Sequence, residues 1–155
     1  MERIELQETL TRINAHRHGR AAGEKQAGVH RSEDLIETRF AASHRLAVYG
    51  SLIPGRSNAG VLDGMGGEWE AGCVHGHLHD RGWGSESGYP GLIWSPGGPE
   101  VAVHLLVSPQ LVEQWPRLDA FEGDEYCRVL VPVYRASQLT AVANLYELRD
   151  HVTAA

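Results

Sequence analysis

The sequence predicts an α+β fold, a small mixed β-barrel with one central helix and a helical extension at the N-terminus. From Arg45 onward, short β-prone segments alternate with glycine-rich turns, and one clear helical segment interrupts them. The first 40 residues differ, because their apolar residues recur at helical spacing. We therefore expect a helical extension over residues 1–40 and a single barrel domain over residues 41–150.

The extension is predicted to begin with a helix over residues 2–18. Ile4, Leu6, Leu10 and Ile13 form one apolar stripe among charged residues. Such a stripe packs either on the core of its own chain or on a second subunit, which would make the protein a homo-oligomer through these helices. Positive charge is concentrated in this segment, but no aromatic residue interleaves with it as single-stranded nucleic-acid binding would favour.

A second, short helix is predicted to follow a loose connector. Residues 19–28 are polar and interrupted by glycine, which is typical of a connector. Ser32 precedes two acidic residues and so predicts an N-cap with negative charge at the positive end of the helix dipole. The predicted buried face consists of Leu35, Ile36 and Phe40.

The barrel domain is predicted to contain five strands and one helix. The strands are expected over residues 46–49, 68–79, 101–107, 127–134 and 141–147. Ser108 as N-cap and Pro109 at the first helical position predict the start of the helix. Its apolar face consists of Leu111, Val112, Trp115 and Leu118. Pro116 is expected to kink or split this helix, and Gly123 to end it.

Composition excludes several classes of function. The 155 residues carry a formal net charge of −6, so no global charge attracts the chain to nucleic acid or to an anionic membrane. Lys25 is the only lysine, which argues against a Schiff-base lysine or a lysine-centred phosphate loop. No apolar segment is long enough to span a membrane, and two cysteines are too few for a disulfide framework. We expect a cytoplasmic protein.

The first candidate site is the turn that follows the first barrel strand. Tyr49, Gly50, Ser51 and Leu52 precede Pro54-Gly55. A glycine-containing turn at the end of a strand can direct several backbone N–H groups to one point, where they hold a carboxylate or a developing oxyanion. An ordinary turn is the alternative interpretation.

The second candidate site is the acidic end of the central helix. Glu122 falls where the helix dipole is negative, Asp119 lies one turn earlier, and Asp124 and Glu125 follow. Both the dipole and the like charges should raise the pKa of Glu122 toward the range of a general acid/base. An exposed acidic helix end is the alternative.

Five motifs taken together make the chain resemble the γ-glutamylcyclotransferase-like (AIG2-like) superfamily. They are Val48-Tyr49-Gly50-Ser51-Leu52 with Pro54-Gly55 and Asn58, Gly76-x-Leu78, Tyr89-Pro90-Gly91-Leu92, Leu118-Asp119-x-x-Glu122-Gly123, and Tyr126-x-Arg128. These motifs occur in the same order as in the family, over about two-thirds of the chain. The first forty residues lie outside the resemblance.

The resemblance implies a cofactor-free, metal-free reaction. Family enzymes release 5-oxoproline and a free amine, because the substrate's own α-amine attacks its γ-glutamyl carbonyl. The acid/base glutamate of the family corresponds to Glu122, and its substrate-binding loop to residues 49–52. Tyr126 and Arg128 match family positions near the site. The leaving amine is expected to contact the loop over residues 85–94.

Three other interpretations remain. His75, His77 and His79 alternate on a predicted strand and could form a metal site on one face. Ser51 could be a hydrolytic nucleophile, although it lies outside a G-x-S-x-G elbow. The same barrel could also be a non-catalytic module that binds a small ligand. Glu122 argues for the enzyme, because a simple binding pocket has no need of a crowded carboxyl group.

Overall fold

A computed structural model describes residues 2–19, 26–82 and 88–149 of the chain. Its elements, with bounds, are α1 (Arg3–Arg17), α2 (Gln26–Phe40), β1 (Arg45–Val48), β2 (Glu68–His79), β3 (Gly91–Trp94), β4 (Glu100–Val107), α3 (Leu111–Glu122), β5 (Tyr126–Arg135) and β6 (Gln138–Leu148). Short 3₁₀ helices occupy Ala42–His44 and Ala59–Leu62. No helix in the described ranges is long and apolar enough to cross a membrane.

Five strands close a mixed barrel, as the sequence predicts. The order is β2-β4-β1-β6-β5, and a pairing between Cys73 of β2 and Tyr134 of β5 closes the ring. β1 and β6 run parallel, whereas the other paired strands are antiparallel. β3 pairs only with β2 and extends the sheet beyond the barrel.

Alternating residues of β5 and β6 fill the barrel interior, because successive side chains of a strand point to opposite faces. The inward-facing side chains of these two strands are Cys127, Val129, Val131, Val133, Ala141, Ala143 and Leu145, all of them buried. Leu130 and Val142 point outward instead, toward the helices. Because alanines of β6 lie opposite valines of β5, these side chains together fit into the interior of a narrow barrel.

The N-terminal helices cover the outer face of β5 and β6. The buried side chains of this contact include Leu6, Leu10, Ile13, Ile36, Leu130 and Val142. Asn14 adds two hydrogen bonds, because its Nδ2 donates to the carbonyl oxygen of Leu130 and its Oδ1 accepts the N–H of Leu130, each at 2.8 Å. Leu6, Leu10 and Ile13 of the predicted stripe therefore pack on their own barrel, whereas Ile4 is 69% exposed. Association through these helices stays a prediction.

The second helix is longer than the predicted one. It begins at Gln26, and Ser32 lies inside it, so the predicted N-cap at Ser32 is wrong. Val29 lies seven residues before Ile36 on the same face and is buried, which extends the packed surface toward the N-terminus. Leu35, predicted to be buried, is 48% exposed.

The central helix begins slightly later than predicted and tolerates its proline. Helical hydrogen bonding starts at Leu111, but Ser108 still acts in the preceding turn, where its Oγ accepts the N–H of Gln110 at 3.2 Å. Pro116 lies inside α3 without ending it, and Gly123 (φ 83°) ends it as predicted. Val112, predicted on the apolar face, is 48% exposed.

The sequence missed strand β3. Its four residues follow Tyr89-Pro90 and precede Ser95-Pro96, so local composition favoured a loop. The strand forms because β2 offers a paired edge, with Leu78 opposite Leu92 and Gly76 opposite Trp94. Of the loop expected to contact the leaving amine, residues 85–87 lie outside the described residues.

Candidate active site

One cavity brings together six of the seven predicted site residues. It lies where β1 ends. The loop that follows β1, the C-terminal end of α3, the start of β5 and the C-terminal end of β6 surround it. The predicted residues that line it are Tyr49, Gly50, Ser51, Leu52, Glu122 and Tyr126. Tyr89 and Pro90, from the loop expected to contact the leaving amine, also line it, together with Ala47, Val48 and Tyr146, and the sequence had not assigned Tyr146 to the site.

Glu122 is a buried carboxyl group in this cavity, with only 9% of the residue exposed. Burial, together with the charge of Asp119, raises the pKa of Glu122 to about 7. The direction agrees with the sequence argument, but the main cause is burial rather than the crowding of charge at a helix end. A carboxyl group with a pKa near 7 can both accept and donate a proton at neutral pH.

The loop after β1 is held in shape by Asn58. The Asn58 backbone N–H donates to the carbonyl oxygen of Ser51, and its Nδ2 donates to Ser51 Oγ, each at 2.9 Å. In the described ranges, no protein acceptor receives the backbone N–H groups of Ser51 and Leu52, whereas those of Ile53 and Asn58 are bonded. Two N–H groups beside the cavity can donate hydrogen bonds to an anionic oxygen.

Tyr89 lies beside this loop, and both line the cavity. A side chain built on Gly50 would meet Tyr89 Cβ at 3.6 Å, and the guanidinium of Arg56 lies 5.5 Å from the Tyr89 ring centroid. Arg56 Nη1 is also within 3.5 Å of the Gly50 carbonyl oxygen. The loop and Tyr89 therefore form adjoining parts of the cavity wall, and Arg56 contacts both.

Tyr49 supports the cavity with its hydroxyl group. This group donates to the carbonyl oxygen of Tyr146 at 2.7 Å and accepts the N–H of Leu92 at 3.0 Å. Burial raises the pKa of the Tyr49 phenol, so the group stays protonated at neutral pH. The hydroxyl of Tyr49 is occupied by hydrogen bonds that join β3 to β6. Tyr49 therefore contributes its ring, rather than its hydroxyl, to the cavity surface.

Arg128 lies outside the lining of this cavity. Its Nε donates to Asp119 Oδ1 at 2.9 Å, its Nη1 donates to Asn144 at 3.0 Å, and its guanidinium lies 4.4 Å from the Trp115 ring centroid. Tyr146, which does line the cavity, donates its hydroxyl to the same Asp119 oxygen at 2.6 Å. Arg128 thus reaches the cavity only through Asp119 and Tyr146.

Comparisons with known proteins show the family of this chain. Residues 46–154, more than half of the chain, match the family described as "Gamma-glutamyl cyclotransferase, AIG2-like". The chain belongs to this family. No curated protein matches it.

The fold of this AIG2-like chain is similar to solved structures of two organisms. The protein At5g39720.1 of Arabidopsis thaliana is 26% identical, with 69% of each chain covered and a TM-score of 0.50. An AIG2-like protein of Mus musculus is 24% identical, with 67% of this chain and 76% of that chain covered and a TM-score of 0.50. The second similarity concerns the fold alone.

The two alternative sites considered from the sequence are a metal site at the histidines of β2 and a nucleophile at Ser51. His75 Nδ1 is bonded to the Gly98 carbonyl oxygen at 3.0 Å, and its ring packs edge-on against Tyr134. Within the described part of the chain, no group of three or more His, Cys, Asp or Glu side chains is arranged to hold a metal ion. The hydroxyl oxygen of Ser51 accepts a hydrogen bond from Asn58, and no histidine among the described residues is bonded to it.

Tyr146 is the site residue that sequence reasoning missed, and Tyr89 was expected only as part of the loop over residues 85–94. Tyr146 belongs to the alternation of the last strand, which indicates only that it faces outward from the barrel. Tyr89 was visible within the Tyr89-Pro90-Gly91-Leu92 motif and within the loop expected to contact the leaving amine, but it was not named individually as a site residue. Their place in the site depends on long-range packing, which local patterns do not encode.

Proposed function

We propose that this AIG2-like chain is a γ-glutamyl cyclotransferase that releases 5-oxoproline and a free amine from a γ-glutamyl amine or peptide. The observation that supports it best is a buried carboxyl group, Glu122, with a pKa near 7, beside two backbone N–H groups that have no acceptor among the described residues. This combination supplies the proton transfer and the oxyanion stabilisation that an intramolecular aminolysis needs.

The reaction begins with proton removal. The Glu122 carboxylate takes a proton from the α-ammonium of the glutamyl group, and the free amine attacks the γ-carbonyl carbon. A five-membered ring closes as the carbonyl oxygen becomes negative. The C–N bond to the leaving amine then breaks, and Glu122 returns the proton to that nitrogen. The second proton of the ring nitrogen passes to water or to the released amine, so the products are the neutral lactam and a protonated amine. Because nucleophile and electrophile belong to one molecule, the enzyme contributes chiefly by selecting the folded conformer.

The loop after β1 is the proposed binding element for the glutamyl group. The N–H groups of Ser51 and Leu52 would hold either its α-carboxylate or the developing oxyanion. Tyr126, buried at the start of β5, would pack against the glutamyl methylene groups. Arg128 would act indirectly, since it holds Asp119 and, through it, the Tyr146 wall. The chemistry requires no cofactor, and a cytoplasmic location stays a prediction.

A substrate panel tests this function. Purified protein is incubated with γ-glutamyl amines, γ-glutamyl dipeptides and γ-glutamyl-capped lysine, and 5-oxoproline is measured by mass spectrometry. We expect product from the wild type and a loss of at least ~10²-fold in kcat for Glu122→Gln, which cannot transfer the proton. Glu125→Gln, an exposed carboxylate three residues later, is the matched control and should retain full activity.

Two results would count against the proposal. Equal turnover by wild type and Glu122→Gln would remove this carboxyl group from the mechanism. A folded protein that yields no product across the panel, yet gains thermal stability with 5-oxoproline, would instead indicate the non-catalytic binding module.

A further inference from the structure

The outer edge of β3 is bonded by side chains instead of a neighbouring strand. Leu92 and Trp94 are two residues apart, so both N–H groups point away from β2, the pairing partner of this strand. Leu92 N–H donates to Tyr49 Oη at 3.0 Å, and Trp94 N–H donates to Glu147 Oε1 at 2.8 Å. These two bonds, one at each end, fix β3 against β6.

The second of these bonds depends on the N-terminal extension. Glu147 is buried, and its other oxygen, Oε2, accepts a hydrogen bond from His18 Nε2 at 2.6 Å. His18 is the residue directly after α1, and its side chain is 4% exposed. Hydrogen bonding to Cys127 and to Glu147 raises the pKa of His18 to about 9, against the effect of burial. At neutral pH an imidazolium therefore compensates the buried carboxylate.

Other titratable groups surround this pair. Cys127 is the cross-strand partner of Glu147 inside the barrel, and Tyr49 lies near enough for the Glu147 charge to raise its pKa slightly further. His79 and Arg81 line the groove between α1 and β3 in which His18 and Glu147 lie. Removing His18 would thus leave Glu147 buried without the only cation bonded to it among the described residues.

β3 carries one wall of the candidate active site. Tyr89 and Pro90, which line the cavity, directly precede the first residue of the strand. We propose that His18 and Glu147 are positioning residues that hold β3, and through it the Tyr89–Pro90 wall, in the geometry that binds the γ-glutamyl substrate. This inference rests on the proposed function. It assigns a role to His18, which lies outside the residues that match the family.

Amide hydrogen exchange tests the structural part without any turnover. In His18→Ala we expect the Trp94 amide to exchange at least ~10-fold faster, since one lost hydrogen bond is worth roughly a factor of ten. The Leu92 amide, bonded to Tyr49, should change less. Ile13→Ala is the matched control, because it weakens the packing of α1 but leaves the His18–Glu147 bond in place.

Kinetics tests the functional part. We expect His18→Ala to raise KM at least ~5-fold with kcat changed less than ~2-fold, because the wall of the site moves while Glu122 stays in place. His18→Gln keeps a donor for Glu147 and should recover part of the lost affinity. Glu147→Gln is the second variant and should also raise KM, which keeps the test decisive if His18→Ala does not fold.

The inference about His18 and Glu147 can fail independently of the proposed function. If the wild type forms no 5-oxoproline, the proposed function fails, and the amide chemical shifts of Tyr89 in the two variants then decide the positioning role. If the wild type is active but Trp94 exchange and KM in both His18→Ala and Glu147→Gln match those of Ile13→Ala, the inference is wrong.

Discussion

Asp119 and Glu122 lie one helical turn apart at the C-terminal end of α3, and they differ sharply in environment. Glu122 is buried in the cavity, whereas the side chain of Asp119 is 46% exposed and bonded to Arg128 and Tyr146. Burial of Glu122, and then the charge of Asp119, raise the pKa of Glu122 to about 7. The Asp119 carboxylate therefore helps to raise the pKa of Glu122, although Asp119 does not line the cavity.

The first prediction concerns the pH profile. Because the proposed reaction begins with ionised Glu122, kcat/KM should rise with pH through a midpoint near 7. Asp119→Asn removes the neighbouring charge, so the pKa of Glu122 falls and the midpoint moves to lower pH. Asp124→Asn, which removes an equal charge two residues beyond Glu122, should leave the midpoint unchanged. The measurement is kcat/KM between pH 5 and 9 for the three proteins, and an unmoved midpoint in Asp119→Asn contradicts the coupling.

The second prediction is that Glu122 destabilises the fold when it is ionised. Its folded pKa lies above the ordinary value of 4.5, so the folded state binds its proton more tightly than the unfolded state. The free energy of unfolding of the wild type should therefore fall as pH rises from about 4.5 to 7. Glu122→Gln should be more stable than the wild type by about 3 kcal/mol at pH 8.

Urea denaturation at two pH values measures this effect. At pH 4 Glu122 is protonated in both states, so the advantage of Glu122→Gln should disappear there. Glu125→Gln, at an exposed position, serves again as the control and should change stability little at either pH. An advantage for Glu122→Gln that is equal at pH 4 and pH 8 would rule out ionisation as its cause.

The sequence predicts the barrel well because its strands alternate regularly. β2 begins and ends at the predicted residues, 68 and 79, since its flanking glycines and its alternation are local signals. β3 was missed because its pairing with β2, and the side-chain bonds to Leu92 and Trp94, are long-range. The start of α2 was misplaced for the same reason: the packing of Val29, rather than a local cap, extends the helix.

The candidate site was predictable only in part. Glu122 could be found because its place at a helix end and its family motif point to the same residue. Its burial, which is the main cause of the raised pKa, depends on β1, β5 and β6 meeting around it. The separation of Arg128 from the cavity was equally hidden, because Tyr126 and Arg128 are two residues apart on one strand and look equivalent in sequence.

The third prediction concerns Arg128 as a structural residue. Its planar guanidinium bonds Asp119 and Asn144 and packs over Trp115, a combination that a lysine cannot reproduce. Arg128→Lys should lower the free energy of unfolding by about 1–2 kcal/mol. Because Arg128 does not line the cavity, kcat should fall less than ~10-fold at temperatures where the variant is folded.

An exposed arginine provides the control for this effect. Arg117 on α3 is bonded to Gln114 and to the Val61 carbonyl oxygen at the surface. Arg117→Lys should change stability by less than about 0.5 kcal/mol. A loss of activity in Arg128→Lys as large as that of Glu122→Gln would show instead that the guanidinium takes part in the reaction.

The fourth prediction compares two buried tyrosines that differ in hydrogen bonding. Tyr49 bonds both Tyr146 and Leu92, whereas the Tyr134 hydroxyl is buried without a hydrogen-bond partner in the described part of the chain. Tyr49→Phe leaves a buried N–H and a buried carbonyl unpaired and should cost about 2 kcal/mol. Tyr134→Phe removes an unpaired polar group and should be neutral or stabilising by up to ~1 kcal/mol. Each variant deletes one oxygen atom. Thermal unfolding of both variants and of the wild type therefore measures how much the Tyr49 hydrogen bonds between β3 and β6 contribute to the free energy of unfolding. Equal losses would mean that the hydroxyl of Tyr49 contributes no more than packing volume.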